Sequence, residues 1–572
     1  MANFYTDNKA LKYHLHHPLM EKIVAMKERD YTQSEHFDYA PLDYEDAMDS
    51  YERILEIAGE ISAEVIAPNA ESVDKEGPHH KDGRVAYASK TVENLKATRQ
   101  AGLHGISMPR QYGGLNIPNV TFSMLSEMIA QADAGFQNVW SLQSCIDTLF
   151  EAGDEDQFQR FIPRVCAGET MSMDLTEPDA GSDLQSVMLK ATEQPDGTWR
   201  LNGVKRFITN GDSDLHLVLA RSEEGSKDGR GLSMFIYDKK DGGVTVRRIE
   251  DKMGIHGSPT CELVFKNAKA ELCGQRRLGL IRYVMSLMNG ARLGITAQSV
   301  GISQQAFNEA LDYAKSRCQF GKPIITFPAV SEMIANIKAR LDASRTILYE
   351  TARFVDVYKI YEQIARERAL TSEERAEMKA YNRLADAFTP MAKAFTTEYA
   401  NQNAYDCIQV HGGSGFMRDY TCERLYRDAR ITNIYEGTTQ LQVVAAIRHI
   451  TTGTYLNHIK NVYATAEYSD DVAPLKDKLE QMTELFENTL AKVKDGGADY
   501  VTFHARRLVE MAGHIIMGYL LIGDATKAPE LFLASAKVYV NSAYADVKHH
   551  AAFVDTFNPD DIADAYTYAT EN

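Results

Sequence analysis

Several short segments of the chain carry residue types suited to holding a flat, phosphorylated cofactor and moving a proton beside it. In LTEPDAGSDL (175–184) the hydroxyls of Thr176 and Ser182 stand among the acids Glu177 and Asp183, and Gly181 lets a ligand approach the backbone. A capped turn has the same composition. In KRFITNGD (205–212) strand geometry puts Phe207 and Thr209 on one face and Ile208 on the other. An aromatic wall and a hydroxyl could then line one flat ring; a plain strand ending in an Asn-Gly turn is the alternative.

SRCQFGKPI (316–324) ends a helix, where Arg317 suits a bidentate phosphate contact and Phe320 suits covering an adenine or ribose. A helix closed by a Gly-Lys-Pro stop reads the same way. QVHGGSGF (409–416) is a glycine loop containing Gln409, Gly412 and Gly413, and RDARITNIYEGTTQLQ (427–442) is a short β-like run leading to a helix that opens at about Thr438. Backbone N–H groups of a glycine turn and a helix start suit a pyrophosphate. The G-G-x-G spacing is not the dinucleotide fingerprint, so a Rossmann reading fails. Glu436 sits between Tyr435 and Gly437. A carboxylate held against an apolar pocket has its pKa raised and becomes a base near neutral pH; a solvent-facing turn acid is the alternative.

The elements that must position these residues follow from periodicity. YERILEIAGEISAEVIAP (51–68) spaces Ile54, Ala58, Ile61 and Val65 as one helical face, broadened by Leu55 and Ile57, and is expected to stop at Pro68. Between about 171 and 282 the texture turns to short β-rich runs split by turns: TWRLNG, KRFITNGDSD, LHLVLAR, LSMFIYD, VTVRRI and CELVFKN. Long helices resume from Tyr283, with Gly301 allowing close packing. The charge-alternating stretch 364–387 reads as a solvated helical hairpin. Past residue 451, Leu475, Leu479, Met482, Leu485, Phe486 and Val493 share a helical face, as do Leu508, Met511, Ile515, Ile516 and Tyr519. The expected class is α+β, mostly α.

Composition narrows the function classes. A formal net charge of −18 repels nucleic acid and anionic lipid, and residues 451–572 carry ten Lys and Arg against eighteen Asp and Glu. The seven cysteines form no C-x-x-C pair, which argues against a disulfide framework or a zinc cage, so no metal site is expected. The N-terminus lacks a signal-like apolar segment, and the longest apolar stretch, MAGHIIMGYLLIG (511–523), is shorter than the ~20 residues of a membrane span. A cytoplasmic protein without a membrane span is expected.

TEPDAGSD, RFITNG, SRCQFGKPI, QVHGGSGF and IYEGTTQLQ, in this order and spacing, resemble the acyl-CoA dehydrogenase family over about 51–451, with MPRQYGG (108–114) and KMGIHGSPTCELVF (252–265) as supporting matches. The resemblance implies an N-terminal helical domain (41–170) after an extension (1–40), a middle β domain (171–282), a C-terminal four-helix bundle (283–450) and an additional helical domain (451–572). FAD is held between the family's domains and completed by a neighbouring subunit. The implied reaction is α,β-dehydrogenation of an acyl-CoA thioester to a trans-2-enoyl-CoA, as in fatty acid β-oxidation, with electron-transfer flavoprotein as acceptor.

By position, Glu436 matches the base that removes the α-proton while flavin N5 takes the β-hydride, the Glu436 N–H and a ribityl hydroxyl polarising the thioester carbonyl. Thr176, Phe207 and Thr209 match isoalloxazine contacts, and Ser182 a residue at the flavin and CoA boundary. Arg317, Phe320, Gln409, Gly412 and Gly413 match contacts to the FAD of the adjacent subunit, and Thr438 and Gln440 the pyrophosphate and adenosine side. Asn289, Arg292, Gly437 and Arg448 match positions near the substrate; for Arg292 and Arg448 a structural ion pair is the competing assignment. Asn289 replaces a common Asp, Phe207 a common Trp, and Phe327-Pro328 a polar pair that touches FAD. The extra length is similar to very-long-chain or methylthiopropanoyl-CoA-type members and implies a homodimer. An acyl-CoA oxidase using O2, a DNA-associated alkylation-response flavoprotein and a catalytically silent scaffold are the competing readings.

Overall fold

A computed structural model of the chain describes residues 2–557, 559 and 560. They form two compact units: the first takes the chain up to Gln305 with Val355–Lys379 and Arg424–Thr432, the second Ala306–Phe354, Ala380–Glu423 and the chain from Asn433 on. The architecture is α+β and mostly helical.

In the first unit, the helices Lys9–Leu15 and Leu19–Lys27 bury Leu11, Leu15, Met20, Ile23 and Val24. Just after them, Glu28 meets Arg110 of the MPRQYGG segment in a fully desolvated ion pair at 2.6 Å. Removing either partner strands a buried charge, a loss of about 3–5 kcal/mol. The extension is therefore part of the helical core.

The helix expected to stop at Pro68 does not. Tyr44–Ile61 passes through a π-helical turn, Ser62–Ile66, and continues as Ala67–Glu76. Proline cannot donate to the carbonyl four residues back, and the wider turn absorbs that missing bond. The buried stripe is Tyr51, Leu55, Ala58, Ser62, Ile66, Ala70 and Val73, rather than the Ile54, Ile61 and Val65 face.

Seven strands lie between Met171 and Cys273. TWRLNG and KRFIT, expected as separate runs, are one strand, Trp199–Thr209, broken by two irregularities against Thr260–Cys273. Leu215–Arg221 pairs in parallel with Met171–Asp174 and, at Arg221, with Lys190 of the strand Lys190–Glu193; its antiparallel pairing with Leu232–Asp238 returns the ladder on itself and closes the sheet. Alternation then fills two cores. Val218, Ala220, Phe235 and Tyr237 point to the interior with Leu201, Leu263 and Phe265. Leu215, Leu217, Leu219, Met234 and Ile236 pack outward on Leu149, Phe161, Ile162 and Val165 of the helices before the sheet. Strands buried on both faces read as unbroken apolar runs, as LVLA (217–220) does.

The 364–387 stretch is a helix–turn–helix tip, Pro328–Glu367 turning at 368–371 into Ser372–His411. Thr371 and Glu374 cap each other reciprocally. The tip is not simply solvated: Arg29 pairs with Glu367 at 2.7 Å and Lys22 with Glu377, so the N-terminal extension holds it. Gly301 lies so close to the helix Asn119–Ala132 that a Cβ would collide with the Glu127 carbonyl.

In the second unit, Ala473–Asp495, Ala498–Lys527 and Pro529–Thr556 form the additional helices. Leu479, Met482 and Phe486 are buried as expected, while Leu485 is half-buried at the stripe's edge. The run 511–523 belongs to a 30-residue helix that is, by length and composition, apolar enough to cross a membrane; 78% of its apolar window is buried among neighbouring helices. Counting only the unbroken apolar run hid this, because a spanning window tolerates an occasional charge. Gly513 of that helix faces the Phe395 ring so closely that any Cβ would overlap it.

Candidate functional site

The flavin-side candidates of the first unit share one scaffold. Lys205, fully buried, donates from Nζ to the Leu175 carbonyl at 2.8 Å and to Glu177 Oε1 at 2.9 Å. Burial lowers the Lys205 ammonium pKa, and the facing Glu177 carboxylate opposes that shift. The Glu177 oxygens accept the backbone N–H of Met188 and Leu189, and the Arg206 N–H donates to the Thr176 carbonyl at 2.9 Å. Glu177 is thus a structural acid that locks the TEPDAGSD loop to the next strand.

Phe207 does not sit in a plain strand. Lys205 pairs with Leu263 and Ile208 with Cys261, leaving Arg206 and Phe207 opposite the single residue Glu262. This is a bulge, and Phe207 takes φ +59 within it. Ile208 stays buried, whereas Phe207 is 52% exposed and carries the Arg206 guanidinium 4.6 Å from its ring centre. Thr176 and Thr209 are half-buried and Ser182 is exposed. Asn289 and Arg292 are half-buried partners, Arg292 donating to Asn289 Oδ1 at 3.1 Å.

Glu436 occupies a turn of the second unit. The expected β-like run ITNIY forms no strand; 430–437 is a series of turns that ends where the Thr438 side chain caps the helix Thr439–Thr451. Asn433, Thr439 and Glu398 are bonded together, which closes this turn more tightly than a strand would allow. Half-buried Glu436 has φ +53, a left-handed conformation that strains a non-glycine residue, and Gly437 follows at φ +90. Two buried side chains hold that geometry. Gln442 donates to the Glu436 and Gly437 carbonyls at 3.3 and 2.8 Å, and Lys393 Nζ to the Gly437 carbonyl at 2.7 Å. Sequence reasoning missed both; the signals were one cation in the apolar stretch AFTPMAKAF and a glutamine four residues past the cap. Gln440 is exposed.

A third group lies on the surface of the second unit. Arg317 follows the helix Met285–Ser316 and begins a tight hairpin, Cys318–Gln319 pairing with Lys322–Pro323. Its two turn residues, Phe320 and Gly321, take φ +52 and +78, the mirror-image turn that hairpins favour. Phe320 is 94% exposed. One helical turn before Arg317, Tyr313 stacks on His411 at 4.2 Å and donates to Ser414 Oγ at 3.3 Å, which ties this helix end to the Gly412–Phe416 turn. Gln409, Gly412 and Gly413 are exposed there, and a Cβ added at either glycine would meet nothing within 4 Å. Arg317 is exposed and forms no ion pair among the described residues. Arg448, by contrast, is a partner of Asp386 at 2.5 Å, with His449 on the same carboxylate at 3.3 Å.

Comparison with known proteins agrees with this layout. Family models of the acyl-CoA dehydrogenase N-terminal domain match residues 48–169, of the middle domain 172–268, of the C-terminal domain 281–451, and of a further acyl-CoA dehydrogenase C-terminal region 451–562. A 3-(aryl)acrylate reductase of Clostridium sporogenes is 34% identical over 69% of this chain and 96% of its own length. The 3-methylmercaptopropionyl-CoA dehydrogenase of Ruegeria pomeroyi is 33% identical over 69% of each chain. A solved acyl-CoA dehydrogenase from Bacillus anthracis, complexed with FAD, shares the fold at a TM-score of 0.72 and 24% identity, over 91% of this chain and 90% of that one. With its domain models in this order and a relative 34% identical across 96% of its own length, the chain belongs to the acyl-CoA dehydrogenase family of oxidoreductases.

Proposed function

We propose that this chain is an FAD-dependent dehydrogenase of an acyl-CoA thioester, with Glu436 as its base. The observation that carries the reading is the Glu436 turn: a carboxylate on a strained backbone, its own carbonyl and the next one each fixed by a buried donor. Such strain persists where the surroundings over-determine it, and it concentrates at reacting sites.

The surface residues fit FAD. An exposed guanidinium, two glycines with open backbone and an exposed aromatic ring match a pyrophosphate and an adenine. Arg317, Phe320, Gln409, Gly412 and Gly413 would hold these parts of a cofactor in the adjacent subunit of a homodimer, with Thr438 and Gln440 on the pyrophosphate and adenosine side. Thr176, Phe207 and Thr209 would line the isoalloxazine, and Ser182 its boundary with CoA. Bound FAD supplies the acceptor for the β-hydride.

Glu436 takes the α-proton while its own N–H donates to the thioester carbonyl, where charge develops. Lys393 and Gln442 keep that N–H and the carboxylate in register. Asn289 and Arg292 orient the CoA portion. The electron acceptor in this reading is electron-transfer flavoprotein, and the setting is cytoplasmic acyl-CoA oxidation.

A second direction is supported by the Clostridium sporogenes relative, which bears a reductase's name. The same residues then work in reverse, Glu436 returning a proton to the α-carbon of an enoyl substrate.

Anaerobic titration of the purified protein with saturated acyl-CoAs of graded length and branching tests the proposal through the flavin band near ~450 nm. Bleaching by one class supports dehydrogenation and narrows the substrate. Bleaching by none, followed by reoxidation of chemically reduced enzyme with an aryl-enoyl-CoA, selects the reductive direction. Rapid reoxidation by air identifies an oxidase, and protein isolated without FAD overturns the reading.

A further inference from the structure

The helix Ser372–His411 ends in a buried cluster that no step of the proposed reaction uses. Cys407 and His411 stand one turn apart on the same helix face. The Gly412–Phe416 turn then brings the chain back so that Cys422, in the first turn of the helix Thr421–Ala429, joins them. The two sulfurs and a ring nitrogen of His411 lie within 4.8 Å of one another, and all three side chains are buried.

The surroundings fix this arrangement. A Cβ on Gly415 would come within 2.7 Å of the Ile408 carbonyl, so the turn closes only around glycine. The Gly415 carbonyl faces Cys422 Sγ at 3.5 Å. The His411 Nδ1–H donates to the Cys407 carbonyl at 2.8 Å, the kind of outer hydrogen bond that sets the tautomer of a ligating histidine and leaves Nε2 with its lone pair. Tyr313 covers one face of the ring. Hydrogen bonding with Cys407, together with the His411 ring, draws the Cys422 thiol pKa down, whereas the same partnership and burial push that of Cys407 up.

We propose that Cys407, His411 and Cys422 form a binding site for Zn2+. Two thiolates and an imidazole are the ligands this borderline-soft cation prefers, and tetrahedral coordination asks for ligand atoms about 3.7 Å apart, a contraction of about 1 Å at most. The fourth position falls to a water, as it does where three side chains supply the ligands. Both cysteines would bind as thiolates, neutralised by the dication, and His411 as a neutral imidazole through its Nε2 lone pair. The ion would tie the end of one helix to the start of the next across the glycine turn.

Full-length, FAD-loaded protein, reduced and stripped with a chelator, is titrated with Co2+ and then with Zn2+. The expected result is about one Co2+ per chain, with a thiolate-to-cobalt charge-transfer band that Zn2+ abolishes. Cys422→Ser and Cys407→Ser should each weaken binding by about 10-fold or more. Should either variant fail to fold, His411→Gln provides the same comparison. No uptake by the wild-type protein, uptake that survives these substitutions, or a Cys407–Cys422 disulfide in protein that takes up no metal after reduction would each overturn the site.

Discussion

Lys393 Nζ, buried within the second unit, donates to the backbone carbonyl of Gly437 at 2.7 Å, one residue beyond the proposed base. This is a charge-assisted bond to a strained turn. Lys393→Met keeps the apolar stem and removes the donor, and it should lower stability by about 1.5–3 kcal/mol. Turnover should fall more than substrate affinity, because the turn would still bind but no longer hold its geometry. Urea unfolding combined with a kcat-against-KM split checks both parts; full turnover in a destabilised protein would show that Lys393 serves packing alone.

Glu436→Gln preserves shape and removes the proton acceptor. Folded, yellow protein with turnover reduced by about 10³-fold is expected if Glu436 is the sole base. The check is stopped-flow bleaching by the best acyl-CoA of the titration panel, and near-normal rates would discard the assignment.

Arg317→Ala removes an exposed cation from the end of its helix. Little effect on stability is expected, whereas FAD should be lost during gel filtration and the oligomer weakened. Unchanged flavin content would remove Arg317 from the cofactor contacts.

Asp428 accepts the Ile255 N–H at 2.5 Å in the first unit, and burial raises its carboxyl from 3.8 to about 6. Between those values the folded chain retains a proton that the unfolded chain has released, so this group makes stability fall as pH rises from about 4 to about 6. Above that window its penalty is constant. Asp428→Asn should flatten this part of the profile, read as urea midpoints at intervals across the window.

Much of the candidate site is legible because the residues proposed for its chemistry lie in contiguous strings. TEPDAGSD, SRCQFGKPI and IYEGTTQLQ name their own residues, and the helix–β–helix order follows from local periodicity. Features that depend on distant partners were not legible. The bulge at Phe207 exists because Trp199–Thr209 must stay paired with a strand some sixty residues away. Pro68 looked like a stop because a π-helical turn leaves no mark in apolar spacing. Lys393 and Gln442 act on a turn that is adjacent only in the folded chain. The Cys407, His411 and Cys422 grouping combines a C-x-x-x-H pair with a cysteine beyond a turn, a pattern that a search for C-x-x-C passes over.

The contact of Gly513 with the Phe395 ring has a consequence for how the chain can be divided. Where two helices approach this closely, neither side retains a finished surface when the other is taken away. The region past 451 is therefore not a detachable cargo module but the other half of a shared interior. Expressed as two separate polypeptides cut in the irregular stretch near 464–469, the halves should recover each other as a split protein does, while either one alone should aggregate through the face it has lost.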